Sequence, residues 1–493
     1  MAKAKVILDI EPIYTKYTVI SLNSTTIHDN VAEVIKLIRS ATSARPEGYM
    51  YMPSYKNRVW DGFIHLSKNN KFPSGLVHIV RNALEEADYD VTINYPDVPE
   101  VDIDAINPRL FNGIVLRQYQ LDAIKTLLRS RSGIAKMATG SGKTEVIAAI
   151  AKAAINGVLI LTTKQDILYQ TVDRIGMRLV ESVGIVGDGR HELNRVTVGM
   201  VQTLTNRLSD RITQAWLSRL DCVIFDECHH IPSRTSQRVL YSIPAPLRYG
   251  FSATPLSHSK LEDLVLIGAT GPILVDVSNE DMIEAGYSAR PVVRLIELQD
   301  GAYWNADWQD AYQKCIVENQ RRNLEIVAAT SGYDGLLPDF KSTLILVDRI
   351  EHGQRLYDML TVGSNALNNG MVMNVTGSES ADVRQLALGR LREGVGWIII
   401  ATPIFDEGVD VPAVDMLVLA CGGKGHRKLL QRIGRGMRPK DGCNTLTVLD
   451  FLDDTNKYLL EHSRSRVELY EREGFEVTVY ASSAHGVHQA DKE

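Results

Sequence analysis

Length, composition and charge first bound the class of protein. The chain has 493 residues, of which 44% are hydrophobic and 23% are charged, and its formal net charge is −6. At roughly 100 to 200 residues per domain, this length predicts about three domains, each able to bury its own core. The composition excludes wholesale disorder and argues mildly against a surface coated with basic residues.

Targeting signals and cysteine usage narrow the setting. No apolar run approaches the roughly 20 residues that a membrane-spanning helix needs, and the N-terminus lacks a signal-peptide core, so we expect a cytoplasmic protein. The five cysteines are an odd number without CxxC spacing, which is typical of a reducing compartment rather than of disulfides or a zinc site. Cys228, His229 and His230 are adjacent, and neighbouring residues cannot easily converge on one metal ion.

Residues 1–106 are expected to form a small α+β accessory domain. Alternation from Tyr17 to Leu22 predicts a strand, and the spacing of apolar residues from Val31 to Ile38 predicts a helix. A basic and aromatic segment extends from residue 49 to residue 81, and Asp61 is its one acidic residue. Its cations are Lys56, Arg58, Lys68, Lys71 and Arg81, and its aromatic residues include Tyr49, Tyr51, Tyr55, Trp60 and Phe63. Lys56, Arg58 and Trp60 are candidates for contact with nucleic acid, and an ordinary solvated face is the alternative.

From residue 107 to residue 285, short apolar runs alternate with amphipathic stretches, as a parallel sheet with crossover helices requires. The predicted strands are Ile134 to Ala138, Val158 to Leu161, Val196 to Gly199, Val223 to Phe225 and Tyr249 to Ser252. A second series begins near residue 300 and predicts strands at Thr343 to Val347, Trp397 to Ala401, Met416 to Leu419 and Thr445 to Leu449. Two α/β domains in tandem follow, the second within residues 286–493, with a hinge at Glu284 to Pro291.

A glycine-rich turn between a predicted strand and a predicted helix indicates a phosphate site. In Met137 to Thr144, Gly140, Ser141 and Gly142 allow backbone N–H groups to close around phosphate oxygens. Lys143 supplies a positive charge to the β and γ phosphates, and Thr144 offers a hydroxyl to Mg²⁺. The pattern predicts binding of ATP with Mg²⁺, and a turn without a ligand is the alternative.

Paired carboxylates follow an apolar strand further along the chain. Asp226 would hold Mg²⁺, directly or through water, and Glu227 would orient and deprotonate the attacking water. By themselves two acidic residues after a strand are often a helix cap. Together with Lys143 and Thr144 they predict ATP hydrolysis.

Four segments resemble, in order and spacing, motifs I, II, III and VI of superfamily 2 helicases. They are Met137 to Thr144, Asp226 to His229, Ser252 to Thr254 and Gln431 to Arg438. The resemblance covers about residues 107 to 480 and implies an α/β fold with two tandem RecA-like parallel-sheet domains. It also implies an ATPase that nucleic acid stimulates.

The resemblance implies further residues on the nucleotide side. They are Arg117, Gln120, Gly408, Asp410 and Gln431. An amide such as that of Gln120 can bond the adenine edge in two places, while a guanidinium such as that of Arg117 can stack on its face; a polar helix start is the alternative. Arg435 and Arg438 are three residues apart on one helical face, and the resemblance makes them arginine fingers for the γ-phosphate.

On the strand-binding side, the resemblance implies contacts with the nucleic-acid backbone, and hence no sequence specificity. The residues are Thr163, Gln202, Thr203, Thr376 and Thr402. Simple capping of strand ends is the alternative for each. His229, Ser252 and Thr254 are implied to couple the ATP site to the strand-binding face.

The N-terminal region resembles the first domain of the bacteriophage UvsW-type helicases at Tyr49 to Pro53, Val59 to Gly62 and Phe72 to Val77. The stretch from Asp450 to Asp453, with His462, Arg466 and Tyr470, continues the likeness. This resemblance implies remodelling of branched DNA in phage replication, recombination and repair: unwinding, fork regression and Holliday-junction branch migration. It further implies single-stranded, forked and four-way DNA substrates, a monomer working with replication and recombination proteins, and the host cytoplasm.

Three alternatives remain. An RNA helicase or ribonucleoprotein remodeller could use the same ATP site, because backbone contacts distinguish RNA from DNA only through the 2′-hydroxyl and groove shape. The chain could also be the motor subunit of a restriction-type DNA translocase. A scaffold without turnover is disfavoured, because Lys143, Asp226, Glu227, Arg435 and Arg438 are all present. The strand-separating wedge has two candidate positions, the N-terminal module and the stretch from Tyr333 to Lys341.

Overall fold

The computed structural model has two compact units. The first comprises Met1–Ala138 and Gly142–Val277, and the second comprises Thr139–Ser141 and Ser278–Glu493. The residues described are 4–21, 27–96, 101–257, 259–299, 303–331, 342–361, 371–393, 396–402, 414–423, 425–437, 444–482 and 488–489. Within these ranges no helix is both long enough and apolar enough to cross a membrane.

A small mixed sheet opens the chain. Its elements, in order, are β1 (Ala4–Ile10), β2 (Tyr14–Ser21), α1 (Ile27–Ala41), β3 (Ser43–Ala44), α2 (Pro53–Lys56), β4 (Ile64–His65), β5 (Lys71–Pro73), α3 (Val77–Glu85) and β6 (Asp90–Asn94). The strand order is β5-β2-β1-β6, with β1 antiparallel to β2 and parallel to β6. Along β1, Ala4, Val6 and Leu8 are buried in alternation, and they form one core with Val34 and Ile38 of α1. The predicted strand and the predicted helix of this region are confirmed.

The first parallel sheet follows. Its elements are α4 (Gln118–Arg129), β7 (Ser132–Met137), α5 (Lys143–Ala153), β8 (Val158–Thr162), α6 (Gln165–Leu179), β9 (Gly184–Gly187), β10 (Arg190–Glu192), β11 (Val196–Met200), α7 (Val201–Arg207), α8 (Arg211–Leu217), β12 (Cys222–Asp226), α9 (Arg234–Leu240), β13 (Leu247–Ser252), α10 (Lys260–Thr270) and β14 (Ile273–Val277). The strand order is β10-β9-β11-β8-β12-β13-β7-β14, parallel except for β10. Every strand predicted for residues 107–285 is confirmed. The ends of β7, β8, β11, β12 and β13 therefore meet at one carboxyl edge.

The N-terminal sheet packs on the first parallel sheet through α10. Leu264 of α10 belongs to the same buried cluster as Leu76 and Val80, with Ile267 packed against it. A Cβ at Gly75 would lie 1.9 Å from the backbone oxygen of Ile267, so only glycine allows this approach. The two sheets of the first unit thus share a hydrophobic core.

The second parallel sheet makes up most of the second unit. Its elements are α11 (Asn279–Glu284), β15 (Arg290–Gln299), α12 (Trp308–Tyr312), α13 (Gln320–Ser331), β16 (Ser342–Leu346), α14 (Ile350–Thr361), β17 (Val372–Val375), α15 (Ala381–Glu393), β18 (Trp397–Ala401), β19 (Met416–Leu419), α16 (His426–Gly436), β20 (Thr445–Asp454), α17 (Lys457–Arg472), β21 (Glu476–Ala481) and β22 (His488–Gln489). The strand order is β17-β18-β16-β19-β20-β15-β21-β22, parallel except for β22. The four predicted strands are confirmed, and so is the expected fold class of two parallel-sheet lobes with a small N-terminal sheet. The domain boundaries at residues 106 and 285, and the hinge, stay predictions.

A network of charged residues lies inside the second unit. Arg466 of α17 donates to both carboxylate oxygens of Asp450 at 2.8 and 3.0 Å, and the hydroxyl of Tyr470 donates to the same carboxylate at 2.6 Å. Arg322 of α13 donates to Asp453 at 3.2 Å. All five side chains are buried, so this network ties α13 and α17 to β20.

Candidate ATP site and strand-binding edge

The phosphate turn joins β7 to α5 in the first lobe. Met137 ends β7 fully buried, and α5 begins at Lys143. Gly140 and Gly142 both have φ of 80°, in the left-handed region that favours glycine. A Cβ at Gly142 would also lie 2.4 Å from the side-chain nitrogen of Gln120, so glycine is required there on two grounds. α5 begins directly after this turn, and the N-terminus of a helix, with its backbone N–H groups, is the arrangement that binds phosphate.

The two carboxylates lie at the end of β12. Nζ of Lys143 is 3.3 Å from Oε1 of Glu227, and Asp226 accepts a hydrogen bond from the backbone N–H of Glu227 at 3.1 Å. Burial raises the pKa of Asp226 to about 6, and the adjacent negative charge of Glu227 adds to the shift. Burial alone would also raise the pKa of Glu227, but the charges of Lys143 and His229 outweigh it and lower that pKa. The site thus combines Glu227, whose carboxylate is firmly ionised, with Asp226, whose negative charge is not fully balanced by its surroundings.

Oxygen donors in this site fit a magnesium ion. Mg²⁺ usually keeps several waters and takes one or two protein oxygens together with the phosphates of its substrate. Asp226 and the hydroxyl of Thr144, in the first turn of α5, supply such donors, and the raised pKa of Asp226 marks a carboxylate that a cation would stabilise. Among the described residues no cluster of three or more His, Cys, Asp or Glu could hold a metal ion, so a site made of protein ligands alone is not found there.

Hydrogen bonds connect the carboxylates to the end of the neighbouring strand β13. Ser252 Oγ donates to Oε2 of Glu227 at 3.3 Å and lies 3.0 Å from Nδ1 of His229. The backbone N–H of Thr254 donates to the same hydroxyl at 3.2 Å. A change at Glu227 therefore has a direct route, through one hydroxyl, to the loop that follows β13.

The residues predicted to read adenine lie beside the phosphate turn. Gln120 is buried in the first turn of α4, and its Oε1 accepts from the backbone N–H of Arg117 at 2.9 Å. Arg117 donates to the hydroxyl of Tyr119 at 3.2 Å. Since the amide of Gln120 abuts Gly142, the predicted adenine residues and the phosphate turn belong to one site.

Predicted strand-binding residues gather at the carboxyl edges of both sheets. In the first lobe, the side-chain amide of Gln202 donates to the backbone oxygen of Thr163 at 3.1 Å, and Thr203 is next to it in α7. In the second unit, Thr376 and Thr402 follow the paired strands β17 and β18 and are both mostly buried. The structure thus brings the residues together within each sheet.

The remaining predicted site residues lie in the N-terminal module or outside the residues whose side chains are described. Lys56 and Arg58 are exposed in the N-terminal module, whereas the indole N–H of Trp60 donates to the backbone oxygen of Phe63 at 2.8 Å. Gly408, Asp410 and Arg438 lie outside the described residues, as does the stretch from Tyr333 to Lys341. Gln431 and Arg435 belong to α16, but their side chains are likewise outside the description.

Sequence reasoning missed two charged contacts that position these motifs. Arg432 of α16 is buried, pairs with Asp348 at 2.9 Å and thereby holds the helix of the last motif against the end of β16. Arg178 of α6 donates to both carboxylate oxygens of Glu145, at 2.7 and 3.1 Å, and holds α5 in place behind the phosphate turn. Glu145 stands directly after Lys143 and Thr144, in a helix that is otherwise apolar, and that contrast was the available signal.

Three family models match the chain, in the same order as its sheets. They are "DNA helicase UvsW, N-terminal" over residues 15–94, "Type III restriction enzyme, res subunit" over residues 113–257 and "Helicase conserved C-terminal domain" over residues 336–440. Together with the relatives described next, these matches show that the chain belongs to the ATP-dependent DNA helicases of superfamily 2, with an N-terminal domain of UvsW type.

Individual relatives are similar over most of the chain. It is 25% identical over 485 residues to the ATP-dependent DNA helicase uvsW of Enterobacteria phage T4, covering 89% of this chain and 93% of that protein. It is 26% identical over 373 residues to the DNA 3'-5' translocase XPB2 of Sulfurisphaera tokodaii, covering 70% and 84%.

Solved structures add evidence on the fold alone. The restriction-modification enzyme LlaBIII, solved with DNA, matches with a TM-score of 0.57 and 15% identity over 82% of this chain and 34% of its own. Dbp5 of S. cerevisiae, solved with RNA and ADP BeF3, matches with a TM-score of 0.51 and 15% identity over 75% and 91%. Because the fold is common to enzymes solved with either nucleic acid, it does not by itself choose between them.

Proposed function

We propose that this helicase remodels branched DNA, by unwinding, fork regression and branch migration of four-way junctions, in phage replication, recombination and repair. The observation that carries the proposal is the core shared by the N-terminal sheet and α10 of the ATP-binding lobe. Leu264 and Ile267 belong to α10 of the ATP-binding lobe and pack into the core of the N-terminal sheet. The module that meets branched DNA and the lobe that binds ATP therefore move as one body. The likeness to the phage T4 helicase over 89% of the chain supports the same assignment.

Hydrolysis of ATP follows from the residues at the end of β7 and β12. The phosphates compete with Glu227 for the ammonium group of Lys143, which lies 3.3 Å from that carboxylate. Released from this pair, Glu227 orients the attacking water and accepts its proton. Asp226 and Thr144 would hold a magnesium ion, which would neutralise charge on the phosphate oxygens. Arg435 and Arg438 are proposed as arginine fingers, and Gly408, Asp410 and Gln431 as further nucleotide contacts.

The proposed coupling uses the hydroxyl of Ser252. Loss of the γ-phosphate changes what Glu227 is bonded to, and Ser252 and His229 pass this change to the loop after β13. Backbone contacts by Thr163, Gln202 and their counterparts Thr376 and Thr402 then release or grip a strand. Such contacts read phosphate and sugar, so movement is expected along DNA of any sequence.

A restriction-type motor remains the second candidate. The match of residues 113–257 to the restriction-enzyme model favours it. The UvsW-type domain over residues 15–94 favours branched-DNA remodelling instead. The first proposal therefore stands.

The test is ATP turnover by the full chain with single-stranded DNA, duplex DNA, a four-way DNA junction and a matched RNA, together with conversion of a labelled junction into its branch-migrated products. We expect stimulation by DNA and ATP-dependent conversion of the junction. Translocation along duplex DNA without conversion of the junction would favour the restriction-type motor. Stimulation by RNA alone would overturn the proposal in favour of an RNA remodeller.

A further inference from the structure

An unusual surface of the N-terminal module is the loop of residues 48–63, referred to below as the aromatic loop. Four large apolar side chains project from it into solvent: Val59 is 82% exposed, Tyr51 74%, Met50 54% and Met52 37%. Exposed apolar residues are unremarkable when scattered, but several on one short segment indicate a surface that meets a partner. The exposed side chains come from two parts of the loop that lie on either side of α2.

The aromatic loop is held in one conformation from within. The rings of Tyr49 and Tyr55 meet edge to face at 4.8 Å, and a Cβ at Gly62 would lie only 2.9 Å from the first ring and 3.2 Å from the second. Gly62 also has φ of 85°, which favours glycine. The backbone N–H of Val59 donates to Ser54 O at 3.0 Å. The exposed side chains are thus carried on a preorganised support.

Further contacts fasten the support to the module. The guanidinium of Arg45 lies 4.7 Å from the ring centre of Tyr49 and 4.5 Å from that of Phe63, and it donates to the Tyr49 hydroxyl at 2.9 Å. Trp60 bonds the backbone of Phe63 at the base of the loop. Trp60 is therefore a residue of the support, and the most exposed apolar side chains of the aromatic loop are those of Val59 and Tyr51.

Charge on the aromatic loop suits phosphate. Lys56 and Arg58 are exposed between the two apolar positions. The carboxylate of Asp61 accepts a hydrogen bond from the backbone N–H of Phe63 at 3.0 Å, so this acidic side chain is already bonded within the loop. An apolar tip flanked by cations complements the end of a duplex, where an exposed base-pair face adjoins phosphates.

We propose that the aromatic loop is the wedge that separates strands at a branch point. Tyr51 stacks on the terminal base pair and Val59 contacts it, while Lys56, whose Nζ lies 5.9 Å from the ring centre of Tyr51, and Arg58 hold the adjoining phosphates. Stacking of a base on an aromatic side chain replaces the stacking that the base loses when its pair opens, so a single such contact offsets the opening of one base pair per step. The inference rests on the proposed function.

The experiment compares the parent chain with the double variant Tyr51→Ala/Val59→Ser. Forked-duplex unwinding, displacement of streptavidin from single-stranded DNA and single-stranded-DNA-stimulated ATP turnover are measured in parallel. We expect unwinding to fall about tenfold, since about 1.4 kcal/mol is one factor of ten, while displacement and turnover stay within about twofold. Both side chains are exposed, so the melting temperature of the variant should match that of the parent.

Two further variants serve as controls. Ile212→Ser removes an apolar side chain of comparable exposure, 68%, elsewhere in the first unit, and should unwind like the parent. Tyr51→Trp keeps an aromatic face on which a base can stack, so this variant should retain unwinding. An apolar contact with a protein partner would not require an aromatic side chain at this position.

The outcomes separate the two proposals. A parent chain that processes no branched DNA overturns the proposed function, and the wedge with it. A parent that unwinds forks and a double variant that unwinds them equally well overturns the wedge alone. Equal loss of unwinding, displacement and turnover in the double variant would also overturn it, because the loop would then act in general strand binding.

Discussion

Both units contain clusters of charged side chains at buried or partly buried positions, but the clusters differ in how much of their surface is exposed. In the first unit, Lys143, Asp226 and Glu227 stand at the carboxyl ends of strands and keep part of their surface exposed. In the second unit, Arg466 and Asp450 lie between α17 and β20 with almost no exposed surface. One cluster opens towards a glycine turn, and the other is closed on all sides by protein.

The difference teaches how to separate a ligand site from a structural ion pair. Both oxygens of Asp450 accept from Arg466, and Tyr470 adds a third hydrogen bond, so this carboxylate is satisfied by the protein itself. Burial raises the pKa of Asp226, as it also raises the pKa of Asp453 inside the closed cluster, so the shift alone does not distinguish the two sites. What distinguishes Asp226 is that it keeps part of its surface exposed, and a perturbed carboxylate at such an open strand end marks a place where a ligand completes the site.

Removal of the positive charge of Lys143 from the open cluster should lower ATP turnover and leave the free energy of unfolding nearly unchanged. For Lys143→Ala we expect ATP turnover to fall by at least about 10²–10³-fold, because a preorganised charge at the phosphates is lost. DNA binding should survive, as measured by fluorescence anisotropy with labelled single-stranded DNA. Turnover at the parent rate would show that Lys143 does not contact phosphate.

The closed cluster should respond in stability instead. Arg466→Ala leaves Asp450 buried without its charge partner, which typically costs roughly 3–5 kcal/mol. Hydrogen exchange of β20 and α17 measures the loss directly within the second unit. Unchanged protection of these two elements would mean that the ion pair contributes no stability.

A third prediction concerns His352, which is buried near Arg322. Its Nε2 lies 2.8 Å from Oδ1 of Asn323, and burial, together with the charges of Arg322 and Arg355, lowers its pKa to about 3. The unfolded chain, in which the pKa is near 6.5, binds a proton first, so stability falls as the pH decreases below about 6.5. Between pH 6.5 and 5 we expect a loss on the order of 2 kcal/mol from this group.

The matched variant for this prediction is His352→Gln, which keeps a donor for Asn323 but does not titrate. Denaturant unfolding of parent and variant at several pH values isolates the contribution of His352. If both lose stability equally between pH 6.5 and 5, the acid sensitivity resides in other groups.

The smallest effect is expected at the surface of the second unit. Arg390 pairs with Glu393 at 2.9 Å in the last turn of α15, and both side chains are well exposed. Arg390→Ala should change the free energy of unfolding by less than about 1 kcal/mol, since solvent screens such pairs. A loss as large as that for Arg466→Ala would contradict the distinction between open and closed charges.

The core shared by the N-terminal sheet and α10 also limits one otherwise obvious experiment. Removal of residues 1–100 would expose Leu264 and Ile267 to water and would test folding as much as function. Point changes in the aromatic loop avoid this difficulty.

Much of the fold was readable from local patterns, because each buried parallel strand is a short apolar run between turn residues. The strands that escaped prediction have weaker patterns. In β15, Pro291 indicated a loop, yet it stands second in the strand, near its start, where a missing donor is tolerated best. The short strands β9 and β10, rich in glycine and charge respectively, lie at a sheet edge.

The sequence by itself was enough to predict the ATP site, because the proposed chemistry depends on residue types at fixed local spacing: a glycine turn, a lysine, and two carboxylates after a strand. Only the tertiary structure decided which charges are structural, since Arg322 and Arg432 find their partners 131 and 84 residues away along the chain. The tertiary structure also decided that the N-terminal sheet shares a hydrophobic core with the first lobe. It further decided that the side chain of Tyr51, rather than that of Trp60, faces solvent. Burial and long-range packing are properties of the folded chain, and no local pattern encodes them.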